Sequence, residues 1–255
     1  MTNKPTTKPS LWCLLPAAGI GQRMGSNLPK QYLPLAGQTL LEITLSRLHL
    51  AFPQAALILP LHPEDSWWPA AELRFCKRYP KATLITCSGG KERADSVLNG
   101  LNALEALAKA DDWVLVHDIA RPCVTQQDLK LLYSTLQDHP LGGLLAAPVA
   151  DTMKRSQMGS ASNNSFQEVV NTVDRNQLWH ALTPQMFRYE KLKAALTQGL
   201  AKGLNITDEA SAIEATGFQP LLIPGRRDNI KITHPEDLPF AELLLAHQQS
   251  TLEKQ

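Results

Sequence analysis

The chain is poor in cysteine: Cys13, Cys76, Cys87 and Cys123 are its four, and no two of them form a C-x-x-C pair. That spacing suggests neither a zinc site nor a thiol redox motif, and Cys13 and Cys87, set in apolar runs, read as small packed hydrophobes. Long apolar runs are missing too, so a membrane span is excluded, and the opening MTNKPTTKPS offers none of the apolar stretch of a secretory leader. Unpaired thiols without such a leader predict a cytoplasmic protein. An excess of one charge is also lacking. Twenty-five Lys and Arg stand against 24 Asp and Glu, a formal net charge of +1, which excludes a global attraction to nucleic acid or to a membrane surface. Cationic groups must therefore act locally. No Ser/His/Asp or Cys/His arrangement for nucleophilic catalysis is evident, and no internal repeat appears.

What is present is a globular composition, 44% hydrophobic over 255 residues, enough for one large α/β domain. Apolar, β-branched runs at Leu11–Ala17, Ala56–Leu59, Thr83–Thr86, Trp113–Val116, Gly143–Pro148 and Gln219–Ile223 predict strands. Helical patterns alternate with them at Thr39–Leu50, Glu64–Tyr79, Arg93–Ala108, Gln126–Gln137, Arg188–Gly199, Asp208–Thr216 and Pro235–His247. Such alternation predicts a mostly parallel sheet with helices on both faces, and a ligand beyond the carboxyl ends of its strands. One segment breaks the rhythm. Asp151–Thr172 is polar, contains SQMGSASNNS, and is too long for a connection, so it reads as a protruding arm, lid or partner-binding element. The expected organisation is a tail over residues 1–10, a single domain over 11–247 with an arm at about 151–175, and a second tail over 248–255.

The first predicted strand runs into LLPAAGIGQRMGSNLPKQYL, where Gly19 and Gly21 would let backbone N–H groups approach an anion and Arg23 and Lys30 would add charge. A dinucleotide fingerprint fails because the third glycine, Gly25, comes one residue late, and a kinase-type P-loop fails because Met24 stands where its second glycine belongs. An ordinary strand-to-helix turn would need neither the cations nor Pro29.

A second glycine pair, in SGGKERADSV, precedes a predicted helix and brings Gly90, Arg93 and Ser96 to an anion-favouring helix start. A plain glycine turn with a solvated arginine fits that stretch equally well. WVLVHDIARP sets Asp118 directly after a buried strand, with Arg121 able to pair with it or with a phosphate. Asp118 itself is open between a substrate hydroxyl, a ribose, Mg²⁺, a helix cap and an internal ion pair. TDEAS has the form of a helix start. Lys231 alternates with Ile230 and Ile232, and so is either solvated or aimed at a site.

Eight blocks in fixed order, PAAGIGQRMG, LPKQY, GGKERADSV, VHDIARP, APVADTMKR, VDRNQLWHALTPQ, ITDEASA and DNIKIT, run from Pro16 to Leu238 or close to it. Together they resemble the 2-C-methyl-D-erythritol 4-phosphate cytidylyltransferase family. The resemblance implies a Rossmann-like nucleotidyltransferase fold with a protruding β-arm, a homodimer with arm exchange, and Mg²⁺ as cofactor, carried mainly by the CTP phosphates. It implies transfer of CMP from CTP to methylerythritol 4-phosphate, with release of pyrophosphate, in isoprenoid precursor synthesis. Carried over by motif, the backbone of Ala17, Ala18, Gly19 and Gly21 would embrace the nucleotide together with Gly90, Arg93 and Ser96. Arg23, Lys30 and Lys231 would neutralise the reacting phosphates. Asp118, Arg121 and Thr183 would face the polyol phosphate, whose phosphate Thr152 and Arg175 would hold from the partner's arm. Gln22 departs from the pattern, since many relatives carry a second basic residue there, and the arm is more Ser/Asn-rich than usual.

The chemistry agrees with the motifs. A phosphate nucleophile is already anionic, so nucleotidyl transfer needs positioning and charge neutralisation rather than a general base. Three rivals share parts of this pattern: a ribitol 5-phosphate cytidylyltransferase with the same CTP half, an NAD-dependent oxidoreductase, and a non-catalytic nucleotide-binding module. The WHALTPQ block and Arg175 favour methylerythritol phosphate.

Overall fold

The computed structural model describes residues 9–19, 28–158 and 166–252. Gly21 and Arg23, named above, lie outside the described residues. Strands β1 (Leu11–Leu14), β4 (Ala56–Leu61), β5 (Leu84–Ser88), β6 (Trp113–Val116), β7 (Gly142–Pro148), β10 (Trp179–Arg188) and β11 (Leu221–Pro224) form one seven-stranded sheet in the order β11-β7-β10-β6-β1-β4-β5. All neighbours pair in parallel except β10, which runs antiparallel to both β6 and β7. The chain steps outward from β1 through β4 to β5 and then crosses back to β6 on the other side of β1, the Rossmann arrangement that opens a crevice at the carboxyl ends. The two-residue strands β2 (Pro34–Leu35) and β3 (Gln38–Thr39) pair with each other apart from this sheet.

Both faces are covered, which is why these strands read as unbroken apolar runs. Successive residues go to opposite sides. Cys13, Leu57, Leu59 and Leu115 join a core with helices α1 (Leu40–Ala51), α2 (Trp68–Arg78), α4 (Gln126–Leu136) and α7 (Asp237–Leu252). Leu14, Ile58, Val114 and Val116 join a second core with α3 (Arg93–Ala103), α5 (Tyr189–Ala201) and the short α6 (Glu209–Glu214). Each fully buried aliphatic side chain contributes about 1.5–3 kcal/mol of transfer free energy.

Local chemistry explains where the elements begin. Thr39 opens α1 through a capping box with Glu42. α2 starts at Trp68 rather than near Glu64 because Asp65 Oδ1 accepts from the N–H groups of Trp67 and Trp68, tying that stretch into a turn. α3 ends at Ala103, short of the expected Ala108, where the Leu104 and Glu105 N–H groups tighten to carbonyls three residues back. At the C-terminus α7 continues to Leu252, so residues 248–252 extend a helix that the pattern alone ended at His247.

The polar segment is a hairpin of β8 (Met153–Met158) and β9 (Gln167–Val173), paired antiparallel and separate from the main sheet. Its strands leave Val169, Val170 and Met153 exposed. The chain then turns at Asn176 and Gln177, the latter with a φ of 63°, and re-enters the domain as β10. That strand has no counterpart in the expected set. Its sequence, WHALTPQMFR, mixes His180, Thr183 and Gln185 with Pro184, and a proline normally argues against a central strand. The structure accommodates it by a register shift between Ala181 and Gln185 against β7.

Candidate nucleotide-binding cleft

At the carboxyl ends of β1, β4, β5 and β6 lies an open cleft of about 750 Å³. Its lining combines backbone and charge: Ala17, Ala18 and Gly19 from the first loop, Gly90 and Ser96 from the second, and Lys30, Lys91, Arg93 and Lys231 as cations against the carboxylates of Glu92 and Asp118.

Two contacts shape the loops. The buried Gln31 side chain donates to the Ala17 carbonyl at 2.9 Å, holding the first loop against the Lys30–Tyr32 turn. The second loop passes too close to the first for any side chain, since a Cβ on Gly89 would collide with the Cβ of Ala18. A Cβ on Gly90 would collide with that of Asp95. The Gly90 N–H donates to Ser96 Oγ at 3.0 Å, and Ser96 Oγ donates back to the Glu92 carbonyl at 3.2 Å.

Asp118 is the electrostatic centre. Only 7% exposed, it accepts from Arg93 Nε at 2.9 Å and pairs with Lys231 Nζ at 2.8 Å and Arg121 Nε at 3.8 Å. Burial by itself would raise its carboxyl, but the charges of Arg93, Lys231 and Arg121 outweigh burial and hold it well below the usual carboxylate range. Arg93 also forms a bidentate pair with Glu209, at 2.7 and 3.1 Å. The carboxylates of Glu209 and Asp118 outweigh the burial of Arg93 and raise its pKa above the ordinary arginine value. Lys30 Nζ donates to the Ile232 carbonyl at 3.0 Å, bringing it beside the segment that carries Lys231.

Behind Asp118 lies a hydrogen-bonded network in which the buried Arg121 Nε and Asn229 Oδ1 have no hydrogen-bond partner among the described residues. The Asp118 N–H donates to Thr183 Oγ1 at 3.1 Å, and Thr183 Oγ1 lies 3.0 Å from His117 Nδ1. His117 Nε2 faces the Arg121 carbonyl at 3.1 Å. A carbonyl only accepts, so Nε2 carries the ring proton and Nδ1 accepts from the threonine hydroxyl. Burial pulls the pKa of this neutral histidine down to about 4. The Arg121 guanidinium donates to the Asn229 carbonyl at 2.7 Å, and Asn229 Nδ2 donates to the Thr183 carbonyl at 2.7 Å.

The cleft therefore gathers Ala17, Ala18, Gly19, Gly90, Arg93, Ser96, Lys30, Lys231 and Asp118 from distant parts of the chain. Arg121 pairs with Asp118, one of the two partners the sequence offered it, and the Thr183 hydroxyl accepts from the Asp118 N–H. Neither lines the cleft; Thr183 is 5% exposed with its hydroxyl taken by Asp118 and His117, so its place is behind Asp118. Thr152 and Arg175 are exposed at the base of the arm and do not line the cleft either; Arg175 donates to the Ala150 carbonyl. Sequence reasoning missed Gln31 and Glu209. Both lie inside quoted motifs, LPKQY and ITDEASA, but burial of a glutamine and of an acid is visible only once the loops are packed. TDEAS is a helix start as read, with Asp208 capping α6, and Glu209 turns inward from it.

Magnesium can be tested against the donor set. Among the described residues no group of three or more His, Cys, Asp or Glu could hold a metal ion, and Asp118 is already engaged by cations. Such a site fits an ion carried on phosphate oxygens rather than a protein cage.

Fold and cleft define a nucleotide-binding α/β protein built to hold a polyanion at the end of a parallel sheet. A family model described as 2-C-methyl-D-erythritol 4-phosphate cytidylyltransferase matches residues 11–247. A protein of that name from Hahella chejuensis is 50% identical over 235 residues, covering 92% of both chains. Another from Chromohalobacter salexigens is 52% identical over 237 residues, 92% of this chain and 90% of that one. A crystal structure of a 4-diphosphocytidyl-2C-methyl-D-erythritol synthase superposes with a TM-score of 0.77 at 35% identity, over 94% of this chain and all of the other. The Thermus thermophilus cytidylyltransferase superposes with a TM-score of 0.70 at 30% identity, over 92% of this chain and 98% of the other. The chain belongs to the 2-C-methyl-D-erythritol 4-phosphate cytidylyltransferase family.

Proposed function

We propose that the protein transfers CMP from CTP to 2-C-methyl-D-erythritol 4-phosphate, releasing pyrophosphate, as a step toward isoprenoid precursors. The observation that carries this reading is the convergence of two glycine-bearing backbone loops with Lys30 and Lys231 in one cleft. An oxygen of the incoming phosphate attacks the α-phosphorus of CTP, and the bond to the bridging oxygen breaks with pyrophosphate leaving in line. Backbone of Ala17–Gly19 and Gly90, with Ser96, receives the nucleotide. Lys30, Lys231 and, from outside the described residues, Arg23 and the Gly21 backbone neutralise the phosphates. Lys231 is held by Asp118 before substrate arrives, so its charge is positioned in advance. Asp118 presents its remaining acceptor capacity to a hydroxyl of the polyol. Magnesium, when bound, supplies further neutralisation of the triphosphate.

Thr152 and Arg175 would serve the cleft of a second subunit. This is supported by their exposure at the base of an arm whose own strands leave Val169 and Val170 uncovered. A homodimer exchanging arms follows. A cytoplasmic location is consistent with free cysteines and with the finding that, among the described residues, no helix is long and apolar enough to cross a membrane.

Pyrophosphate release from CTP and Mg²⁺ tests the reading, with methylerythritol 4-phosphate and ribitol 5-phosphate compared as acceptors. Release with the first alone is expected. Release with ribitol 5-phosphate alone would move the substrate to the sister reaction, and CTP binding without release would leave a nucleotide-binding module.

A further inference from the structure

The register shift in β10 is more than an irregularity of pairing, because three separate paths run from it to the charges of the cleft. The Thr183 hydroxyl accepts from the Asp118 N–H and donates to His117, which in turn donates to the Arg121 carbonyl. The Thr183 carbonyl accepts from Asn229, two residues before Lys231. Gln185, 1% exposed, points to the helix on the other side. Its Nε2 donates to Asp208 Oδ2 at 2.8 Å and its Oε1 accepts from the Ala210 N–H at 2.7 Å. A primary amide offers a donor and an acceptor on one planar group, so a single side chain serves both partners. It clamps the first turn of α6, between whose two clamped residues stands Glu209, and Glu209 holds Arg93, which holds Asp118.

We propose that Thr183 and Gln185 are positioning residues for the transfer reaction: through the break in β10 they set Asp118, Arg93 and the Lys231 segment, and so connect the strand leaving the arm to the cleft charges. The inference rests on the function proposed above insofar as those charges serve catalysis, while the connection itself is a physical property of the fold. The neighbouring residues carry no comparable role. Leu182 and Met186 are buried in the apolar core, whereas Thr183 and Gln185 spend their polar atoms on elements that border the cleft.

Two pairs of variants test it. Thr183→Val removes the hydroxyl with little change of shape, and Thr183→Ser keeps it. Gln185→Met removes the amide at similar length, and Glu209→Gln weakens the next link. Thr183→Val and Gln185→Met should each lower kcat by on the order of tenfold to a hundredfold, the scale of a misplaced reacting group, while Thr183→Ser restores most of the rate. The Gln185→Met/Glu209→Gln double variant should be no slower than the slower single variant, since both act through one link. Independently of turnover, the Arg93 Nε–H, which donates to Asp118 at 2.9 Å, should give a resonance protected from solvent exchange in the wild type and should lose that protection in Gln185→Met.

Wild-type-like kcat in Thr183→Val, or log-additive effects in the double variant, would overturn the inference. So would an unchanged Arg93 resonance in folded Gln185→Met. If Gln185→Met does not fold, the Thr183 pair still decides. A wild-type protein inactive with both acceptors would refute the proposed function. Loss of Arg93 protection in the variant would then still support the positioning connection, and its retention would overturn that as well.

Discussion

Single residues at the cleft act mainly through charge. Lys30 and Lys231 come from opposite ends of the chain, yet Lys30 bonds the carbonyl of the residue following Lys231. Replacing either by alanine should lower kcat by about 10²–10³, equivalent to about 3–4 kcal/mol of transition-state stabilisation. Pyrophosphate release kinetics, with thermal melting to show an intact fold, would measure it. His117 acts differently, through protonation. Its folded-state pKa, about 4, lies below the ordinary 6.5, so the unfolded chain binds the extra proton first. The stability that neutral His117 contributes is complete above pH 6.5 and is lost as pH falls from there through 4. The loss amounts to about 3 kcal/mol. His117→Gln should flatten the pH dependence of the unfolding free energy across that window, as read by urea denaturation at several pH values. A slope unchanged there would mean that another group dominates.

At the scale of elements, the sheet is stabilised by side chains that no solvent reaches. Leu115 in β6 is 0% exposed and packs with the core beneath α1 and α4. Leu115→Ala should cost about 2–5 kcal/mol, seen as a lower denaturant midpoint. The arm shows the opposite economy. Among the described residues its two strands pair only with one another, and a lone hairpin is marginal in water; the proposed second subunit would cover Val169 and Val170. Arg175→Ala, at the arm's base, should raise the KM for the polyol phosphate more than that for CTP. If only the CTP constant moved, Arg175 would belong to the nucleotide.

For the whole molecule, the proposed assembly is one domain with a projecting element that would complete a neighbour's cleft. Sedimentation equilibrium should give a dimer. Replacing residues 153–173 by a short turn should give a monomer that still binds CTP and has lost turnover. A dimer persisting in that variant would move the interface elsewhere.

Periodicity and motif were enough for much of this. The unbroken apolar runs at Ala56–Leu59 and Trp113–Val116 read as buried strands, and their alternation with helices predicts the mostly parallel sheet and the end at which a ligand sits. The glycines of the first loop beside Arg23 and Lys30 point to an anion, because only local charge is available in a chain of net charge +1, whereas pattern alone leaves Arg93 and Lys231 open between solvent and a site. Tertiary structure alone decided the rest. β10 is hidden in sequence because its polar residues and Pro184 serve a register break, where tertiary contacts override strand propensity. That Thr183 and Arg121 stand behind Asp118, that Gln31 fastens the first loop, and that Glu209 restrains Arg93 are relations between residues far apart in the chain. Sequence determines which groups carry charge and which must be buried; only packing determines which charged group meets which, since that depends on distances between elements that no local pattern encodes.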